Sequence, residues 1–450
     1  MASCTVIRLS EVRSGFRIDS EFYRGDFVAA DHELSKLPLK GIGACAVVTD
    51  GEHGSVKLTV SGIKYLTAEN VKQGYVDAER VRYVGADVDE RNARARVREG
   101  DVLVSIKGTL GEIGLAEKEL LPANMNRDVA IIKVHSHISG GYLTAFLRSR
   151  FGAYQLAREG SGGVQQMITL GRLRNIQVPV LPQRAQDEVA TIQSAGLVNR
   201  RNSKRLLAEA EYLLEEQLGL RDLSFLKPVG YTARFSSLET SHRSDAQHYQ
   251  PRFTQLIDHI LTLPSARVRD IRSLNRRGLQ PIYLRNGDFD VVNSQHLGPN
   301  HIDYEGLKKT SARSFAAVPE AHIKCNDLLI YTTGAYIGRT NVYLSDAPAM
   351  ASNHVNIVRL HPGIDAAYMA LVFQSIVGKF QTQQHSRGSA QAELYPSDID
   401  RFAVPLIAAE KQRVIGDLVR ESLVMQQESR VLLAKAKARV EQLIEEAVQP

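Results

Sequence analysis

The 450-residue sequence predicts an α+β protein in which two tandem mixed α/β domains are joined by two long, coiled-coil-like helices. Two observations predict this fold class. The chain resembles itself at an offset of 226, which places Tyr142 on Tyr368 and is called the repeat offset below. Each half also changes from short β-branched segments, separated by glycine and asparagine, to one long polar segment with apolar residues at three- and four-residue spacing. The protein is therefore predicted to be a duplication of one unit.

The internal duplication keeps one register through most of the chain, apart from a slip of one residue where Gly111 aligns with Gly338. Because the matches keep their order and register, we prefer duplication to chance similarity. The matched pairs include Arg8 and Arg234, Asp19 and Asp245, Tyr23 and Tyr249, Asp77 and Asp303, Asp101 and Asp327, Tyr142 and Tyr368, Gly152 and Gly378, Gln155 and Gln381, and Pro179 and Pro405.

Each half is predicted to end in a helix that follows proline signals. The predicted segments are 1–182 (first domain), 183–222 (first spacer helix), 223–408 (second domain) and 409–450 (second spacer helix). The two helices are expected to pack on each other through an apolar seam with a polar centre. The alternative is that each helix packs only on its own domain. The seam residues are Val189, Ile192, Leu206, Leu213, Ile415, Leu418, Met425 and Leu432.

Two loop types recur in both halves: a glycine turn around Gly108 or Gly334, and a later loop over residues 159–166 or 385–391. Gln, Lys and Arg side chains can hydrogen-bond to base edges, and glycines let backbone N–H groups approach phosphates. Plain surface connections are the alternative for these loops. The arginine-rich stretch 267–285 is a third candidate, for contacts with phosphates, and a solvated basic face is its alternative. The candidate DNA-contacting residues are Lys107, Thr109, Arg127, Gln165, Gln166, Arg276, Arg277, Thr333, Tyr336, Arg339, His354, Arg387 and Gln391.

Composition narrows the class of protein. The net charge of +6 and the hydrophobic fraction of 43% are ordinary for a globular chain. The three cysteines, Cys4, Cys45 and Cys325, are too far apart for a metal or redox motif and indicate a reducing cytoplasm. Since there is neither a signal-like N-terminus nor an apolar stretch of membrane-spanning length, we expect neither secretion nor a membrane partner.

Motifs of DNA enzymology are not found in the sequence. It contains no Pro-Pro pair, and so no Asn-Pro-Pro-Tyr motif of adenine methyltransferases, no phosphate-binding G-x-x-x-x-G-K-[ST] loop and no His/Cys cluster with metal-ligand spacing. We therefore expect no catalytic residues and no metal site. The enzymatic alternative is a nuclease-like site at the duplicated carboxylates Asp19/Asp245, Asp77/Asp303 or Asp101/Asp327.

Four segments together carry a family resemblance. They are the strand-and-glycine run 100–111, its counterpart 326–334, and the proline-containing segments 176–182 and 402–406 that lead into the two helices. With the duplicated order, these segments make nearly the whole chain similar to the specificity subunit of type I restriction-modification systems. Base-reading residues vary too much in that family to be transferred to this chain.

The resemblance implies two target-recognition domains, each of which reads one half of a split, asymmetric double-stranded DNA sequence. It further implies antiparallel spacer helices that set the gap between the halves and dock two methyltransferase subunits, and it leaves open whether restriction and translocase subunits join. S-adenosylmethionine and ATP would bind the partner subunits only. The alternative function is a DNA-binding or scaffold module of another phage-defence assembly that has no restriction motor.

Overall fold

The computed structural model describes residues 20–135, 137–160, 166–225, 228–388 and 391–449. The chain forms two compact units. The first comprises residues 1–200 and 427–450, and the second comprises residues 201–426. Both units mix helices and strands, which confirms the predicted α+β class at this level. The boundaries predicted for separate domains and spacers stay a prediction, since each long helix contributes to both units.

The first unit contains six helices before the first long helix among its described residues. They are α1 (Gly25–Leu34), α2 (Ile42–Cys45), α3 (Ala86–Arg91), α4 (Gly140–Arg148), α5 (Arg150–Glu159) and α6 (Leu170–Asn175). Its strands are β1 (Leu39–Gly41), β2 (Ala46–Asp50), β3 (Leu58–Thr59), β4 (Ile63–Leu66), β5 (Val71–Lys72), β6 (Gly74–Val76), β7 (Arg82–Val84), β8 (Val102–Ser105), β9 (Ile113–Leu115), β10 (Ala123–Met125), β11 (Val129–Val134) and β12 (Gln177–Pro179). They form sheets of order β2-β11-β8-β9-β6-β5, β10-β4-β7-β3 and β1-β12.

The two long helices, α7 (Gln183–Gln217) and α15 (Ala409–Val448), follow the sheets of the first and second half of the sequence. The second unit repeats the plan of the first. Its shorter helices are α8 (Phe235–Ser241), α9 (Pro251–Leu261), α10 (Val268–Ile271), α11 (Ala312–Ala316), α12 (Ala366–Gln374), α13 (Ile376–His385) and α14 (Pro396–Ile399). Its strands are β13 (Ser265–Arg267), β14 (Arg272–Arg277), β15 (Phe289–Val292), β16 (Lys308–Thr310), β17 (His322–Ile323), β18 (Leu328–Tyr331), β19 (Thr340–Val342), β20 (Ala349–Ala351), β21 (Val355–Leu360) and β22 (Ala403–Pro405). Their orders are β14-β21-β18-β19, β16-β15-β20-β17 and β13-β22.

The duplication inferred from sequence is present in the secondary structure at the same offset. Helices α4 and α12 begin at equivalent positions, and so do the central strands β8 and β18. In the two-stranded sheets, Leu39 pairs with Pro179 and Ser265 pairs with Pro405. At the repeat offset, the start of β9 at residue 113 corresponds to residue 339, whereas β19 begins at residue 340. The one-residue slip in register therefore occurs before these two strands.

Two buried tyrosines explain one of the sequence matches. The hydroxyl of Tyr142 donates to the carbonyl oxygen of Pro179 at 2.8 Å, and that of Tyr368 donates to Pro405 at 3.1 Å. Each bond ties the helix after the central sheet to the strand that leads into a long helix. Because a buried carbonyl left without a donor costs about 1–3 kcal/mol, the position favours a tyrosine in both units.

The matched glycines mark a close approach between consecutive helices. A Cβ atom at Gly152 would lie 2.4 Å from the Cα atom of Leu147, and one at Gly378 would lie 2.1 Å from the carbonyl oxygen of Phe373. These distances are well below van der Waals contact, so any side chain would push the two helices apart.

The second long helix completes the core of the first unit. The C-terminal half of α15 supplies Leu433, Ala436 and Val440 to that core. Since α15 follows the second half of the sequence, the alternative that each helix packs only on its own domain is wrong. The helices run antiparallel, because Glu188 pairs with Arg439 at 2.7 Å and, in the second unit, Gln217 contacts Lys411.

Serine hydroxyls form the polar centre of the seam. In the first unit, the hydroxyl of Ser429 donates to the carbonyl oxygen of Gly196 at 2.6 Å. In the second unit, the equivalent pair of positions is joined by a bond from the hydroxyl of Ser422 to the carbonyl oxygen of Ser203 at 2.8 Å, so the donor lies on α15 in both units. Small residues therefore bring the helices close enough for these bonds to form.

The predicted seam residues are all at least partly buried. Val189, Leu206 and Ile415 are buried, and Ile192, Leu213 and Leu418 pack at the edges of the two cores. Met425 and Leu432 are half-buried. No helix in the described part of the chain is long and apolar enough to cross a membrane.

We expect Gly196→Leu to destabilise the protein by about 1–3 kcal/mol, because even a Cβ atom there would lie 3.0 Å from the Leu433 side chain. Urea unfolding followed by circular dichroism measures the change. Val198→Ala, at an exposed position of the same helix, is the control and should stay within about 0.5 kcal/mol of the wild type. Equal stability of the glycine variant and the control would contradict the close packing.

Candidate nucleic-acid interface

Three chain segments meet at the end of the central strand in each unit. In the first unit, the amide of Ile106 donates to the carbonyl of Asp128 at 3.0 Å, and the amide of Ile168 donates to the carbonyl of Ile106 at 3.0 Å. We name this arrangement the first loop cluster: residues 106–109, 126–128 and 166–168. It joins the two recurring loop types of the first unit.

The second loop cluster comprises residues 332–336, 352–354 and 391–394. The amide of Thr332 donates to the carbonyl of His354 at 3.1 Å, and the amide of Leu394 donates to the carbonyl of Thr332 at 2.9 Å. These two bonds join the positions equivalent to those of the first unit at the repeat offset. Since both are main-chain bonds, the scaffold of a cluster does not depend on which side chains it carries.

Glycines after the central strand allow the chain to turn within each cluster. Gly108 has a φ of 84° and Gly334 a φ of 105°. Side-chain-bearing residues rarely adopt these left-handed values, so glycine is favoured at both positions.

The candidate residues of the first unit lie in or beside its cluster. Thr109, Arg127 and Gln166 are exposed, and Lys107 is half-buried. The hydroxyl of Thr109 lies 3.3 Å from that of Ser105, at the base of the glycine turn. Gln165 lies outside the described residues.

The second cluster presents different chemistry. The guanidinium carbon of Arg339 lies 3.6 Å from the centre of the Tyr336 ring, and the tyrosine is 54% exposed. His354 and Gln391, which belong to the second loop cluster, are exposed. Thr333 is buried, with a hydroxyl that has no hydrogen-bond partner in the described structure, so it lies beneath the surface that a ligand would meet.

Three arginines near the second cluster differ in their placement. Arg277 donates to the carbonyl oxygen of Leu394 at 3.0 Å, which joins β14 to the cluster. Arg276, the preceding residue of the strand, points to the other face and lies 3.7 Å from Glu320. Arg387 donates to the buried carboxylate of Asp398 at 2.8 Å.

Glu393 of the second cluster and Tyr395 beside it had escaped the sequence analysis. The hydroxyl of Tyr395 hydrogen-bonds to the carboxylate of Glu393, and the guanidinium of Arg277 lies 4.7 Å from the tyrosine ring centre. At the repeat offset, the first unit has Met167 and Thr169 at these positions. Repetition therefore gave no signal for them. Glu393 lies in the cluster through its backbone bridge with Thr333, and Tyr395 contacts the cluster through Glu393 and Arg277.

No family model matches the chain. Over 129 residues it is 27% identical to the specificity subunit of the type I restriction enzyme EcoBI from Escherichia coli. The match spans 28% of this chain and 27% of the length of that curated relative.

The chain is similar to type I specificity subunits. This confirms the resemblance predicted from the sequence. Among solved structures, the type I S subunit from M. genitalium aligns at 14% identity with a TM-score of 0.48, covering 92% of this chain and 96% of that one. The HsdS subunit from Thermoanaerobacter tengcongensis aligns at 14% identity with a TM-score of 0.30, covering 91% and 96%.

The duplicated carboxylates, which raised the enzymatic alternative to a specificity subunit, have structural partners. The Asp101 side chain accepts from the amide of Arg98, and that of Asp327 accepts from the amide of Lys324, both at 2.7 Å. Asp245 pairs with Arg243 at 2.5 Å. Within the described residues, no group of three or more His, Cys, Asp or Glu side chains could hold a metal ion. Asp19 lies outside those residues.

A buried histidine lies where the later loop of the second unit begins. His385 is 8% exposed, and its carbonyl oxygen accepts from Arg243 at 3.1 Å. Burial, followed by the nearby positive charges of His248 and Arg401, lowers the pKa of His385 to about 3. The folded state therefore holds this imidazole neutral near pH 7.

The unfolding free energy is expected to fall at acid pH because the His385 pKa is lower in the folded state than in the unfolded chain. The contribution of His385 to the unfolding free energy is fully present above its unfolded-state pKa of about 6.5 and is lost as the pH falls toward 3. Just below pH 6.5, the unfolding free energy should fall by about 1 kcal/mol per pH unit. Urea unfolding at pH 7.5, 6.5 and 5.5 measures the slope. Burial also lowers the pKa of His296, so His385→Gln should reduce the slope and leave a remainder. His354→Gln, at an exposed site, is the control; an unchanged slope in His385→Gln would refute the assignment.

Proposed function

We propose that this chain is the DNA specificity subunit that directs a type I methyltransferase, and the restriction complex built on it, to a bipartite asymmetric DNA site. Each unit is one target-recognition domain in this proposal. The recurrence of one main-chain scaffold with two different sets of side chains is the observation that carries it. Similarity to a curated specificity subunit supports it.

The side chains of the two clusters suit different base pairs. Lys107, Arg127 and Gln166 offer a lysine, an arginine and an amide in the first unit, whereas Tyr336, Arg339 and Gln391 offer an aromatic ring, a stacked guanidinium and an amide in the second. Arginine and lysine pair with guanine, and glutamine pairs with adenine, at the edges exposed in the major groove. Unlike clusters therefore favour a non-palindromic target.

The long helices serve two purposes in this proposal. Their paired length sets the gap between the two half-sites, and their exposed faces dock two methyltransferase subunits. Val198 in α7 and Val424 in α15 support the docking role, because both are exposed apolar residues at equivalent positions of the two halves. Equivalent positions suit two copies of one partner.

The chain itself contributes no catalytic group in this proposal. The partner subunits bind S-adenosylmethionine and ATP, and restriction or translocase subunits are optional further partners. The complex acts on double-stranded DNA in the cytoplasm.

Variants in one cluster should alter recognition of one half-site only. We expect Arg339→Ala to weaken methylation of the native site and to relax the sequence read by the second unit, because one lost bidentate contact to a base costs about 1–3 kcal/mol of discrimination. Gln166→Ala should have the same effect on the other half-site. Single-molecule sequencing of methylated positions in cells that express the partner subunits measures both.

The matched control is Arg285→Ala, an exposed arginine outside both clusters, which should leave the methylated sequence unchanged. Relaxation of both halves by a single variant would contradict the assignment of one unit to each half. A chain that binds DNA but co-purifies with no methyltransferase would favour the scaffold module of another defence assembly. Methylation by the purified chain alone would refute the non-catalytic role.

The gap between the half-sites should depend on the helices. We expect one heptad inserted into α7 alone, after Gly196, to abolish methylation or to change the recognised gap, because the serine bonds to α15 can no longer form together. Methylation mapping reads the gap directly, and circular dichroism checks that the variant folds. A folded variant with an unchanged gap would contradict the spacer role.

A further inference from the structure

A cavity of about 620 Å³ opens in the second unit, where the later loop begins at His385. It lies among helices α8 and α9, the end of α13, the end of β13, the start of α10 and the segment before β22. Its volume is within the range of about 300–1,000 Å³ that is usual for small-molecule sites. The residues around it include Arg267, Arg269, Gln384, His385 and Arg401, together with several serine and threonine hydroxyls.

The lining of this cavity carries positive charge and no carboxylate among the described residues. Arg267 donates to the carbonyl oxygen of Arg401 at 2.7 Å, which holds its guanidinium at the cavity wall. The guanidinium of Arg401 makes no ion pair with any described residue. Arg269 lies 3.6 Å from Asp270, but both side chains are more than half exposed, so solvent screens this pair.

Two buried side chains at the cavity indicate what a ligand there would need. His385 is buried, and burial, followed by the electrostatic effect of His248 and Arg401, lowers its pKa to about 3. Gln384, which is 8% exposed, donates to the carbonyl oxygen of His248 at 3.3 Å. Its buried side-chain oxygen has no hydrogen-bond partner in the described structure. A ligand that supplies both an anion and a hydrogen-bond donor would satisfy these groups.

The first unit lacks this chemistry at the equivalent positions. At the repeat offset, Gly41, Gly43 and Asn175 stand where the second unit has Arg267, Arg269 and Arg401, and Glu159 stands in place of His385. A Cβ atom at Gly43 would lie 3.0 Å from the Cβ atom of Arg174, so a longer side chain is disfavoured there. The cationic lining therefore belongs to the second unit alone.

We propose that this cavity binds the phosphate group of a nucleotide-sized phosphate ester. The arginine guanidinium groups and the serine and threonine hydroxyls supply donors to phosphate oxygens. The orphaned oxygen of Gln384 accepts from a hydroxyl of the ligand. Two sources share this chemistry, a free nucleoside monophosphate and the DNA backbone, and the proposal stands without the assignment of the chain as a specificity subunit.

The test is isothermal titration calorimetry of the full-length protein with adenosine monophosphate and with inorganic phosphate, at low salt. We expect one adenosine monophosphate per chain with a Kd of about 1 mM or tighter. Arg267→Ala combined with Arg401→Ala should weaken binding at least about tenfold, the loss of roughly one charge-assisted hydrogen bond. Arg285→Ala, an exposed arginine of the same unit, removes an equal charge elsewhere and should bind normally.

A second variant keeps the test valid if the double variant unfolds. Arg269→Glu changes a lining residue whose side chain is 65% exposed and places a carboxylate against the phosphate, so it should weaken binding while thermal melting stays near that of the wild type. Adenosine, which has no phosphate, should not bind. The proposal would be overturned if adenosine bound as tightly as adenosine monophosphate, or if Arg285→Ala lost as much affinity as the double variant. Two sites per chain, or no saturable binding of either probe, would overturn it as well.

Competition with duplex DNA identifies the source of the phosphate. Displacement of adenosine monophosphate by the duplex, with a shallower salt dependence of DNA binding in the double arginine variant, would assign the cavity to the DNA backbone. Retention of the nucleotide on DNA-bound protein would assign it to a free ligand. The methylated sequence is measured separately, so failure of the specificity assignment and failure of the phosphate site are distinguishable.

Discussion

The hydroxyl-to-carbonyl bonds between the two long helices are the constraint on which both units depend. In each unit a serine of α15 donates to a backbone carbonyl of α7, Ser429 to Gly196 and Ser422 to Ser203. A buried hydroxyl without a hydrogen-bond partner destabilises the folded state. A shift of the helices along each other would break these bonds and leave the serine hydroxyls unpaired. Purely apolar contacts would tolerate such a shift more readily. The polar centre therefore buries less apolar surface but fixes the register of the two helices. That register places residues from distant parts of the chain in the core of each unit.

A short series of hydrogen bonds and packing contacts connects the sheets to the long helices. The tyrosine bonds from Tyr142 to Pro179 and from Tyr368 to Pro405 fix the strands that precede α7 and α15. Helices α4 and α12, which carry these tyrosines, pack on strands β9 and β19 of the central sheets, and the neighbouring strands β8 and β18 lead directly into the loop clusters. Each cluster is then held by amide-to-carbonyl bonds at Ile106 or Thr332. Since every step uses main-chain atoms or deeply buried groups, the exposed side chains at the end of this series can change without loss of the scaffold.

Sequence alone predicted the duplication and the long helices because their signals are repeated and local. The matched tyrosines and glycines proved to be sites where a buried carbonyl or a close backbone approach restricts the residue type. Sheet order was not predictable, since parallel pairs such as β4 with β10 join segments that are far apart in sequence. Strand register decides that Arg277, but not Arg276, reaches the second cluster, and no periodicity reveals it. Tyr395 and Glu393 lack counterparts in the first unit, so repetition could not point to them.

One pair of equivalent positions away from the clusters shows how far the repeated scaffold tolerates exchange. Asp89 and Arg96 form an ion pair of 2.6 Å in the first unit, whereas Phe315 and His322, which replace them at the repeat offset, stack with ring centres 3.7 Å apart. Electrostatic attraction and aromatic stacking thus hold the same two backbone segments together. Side chains that must preserve a contact have changed their chemistry completely here. Side chains in the loop clusters need not preserve such a contact, because main-chain hydrogen bonds already hold their segments together. These side chains can therefore diverge even more freely. Under the proposed function, this freedom lets one duplicated chain read two unrelated half-sites.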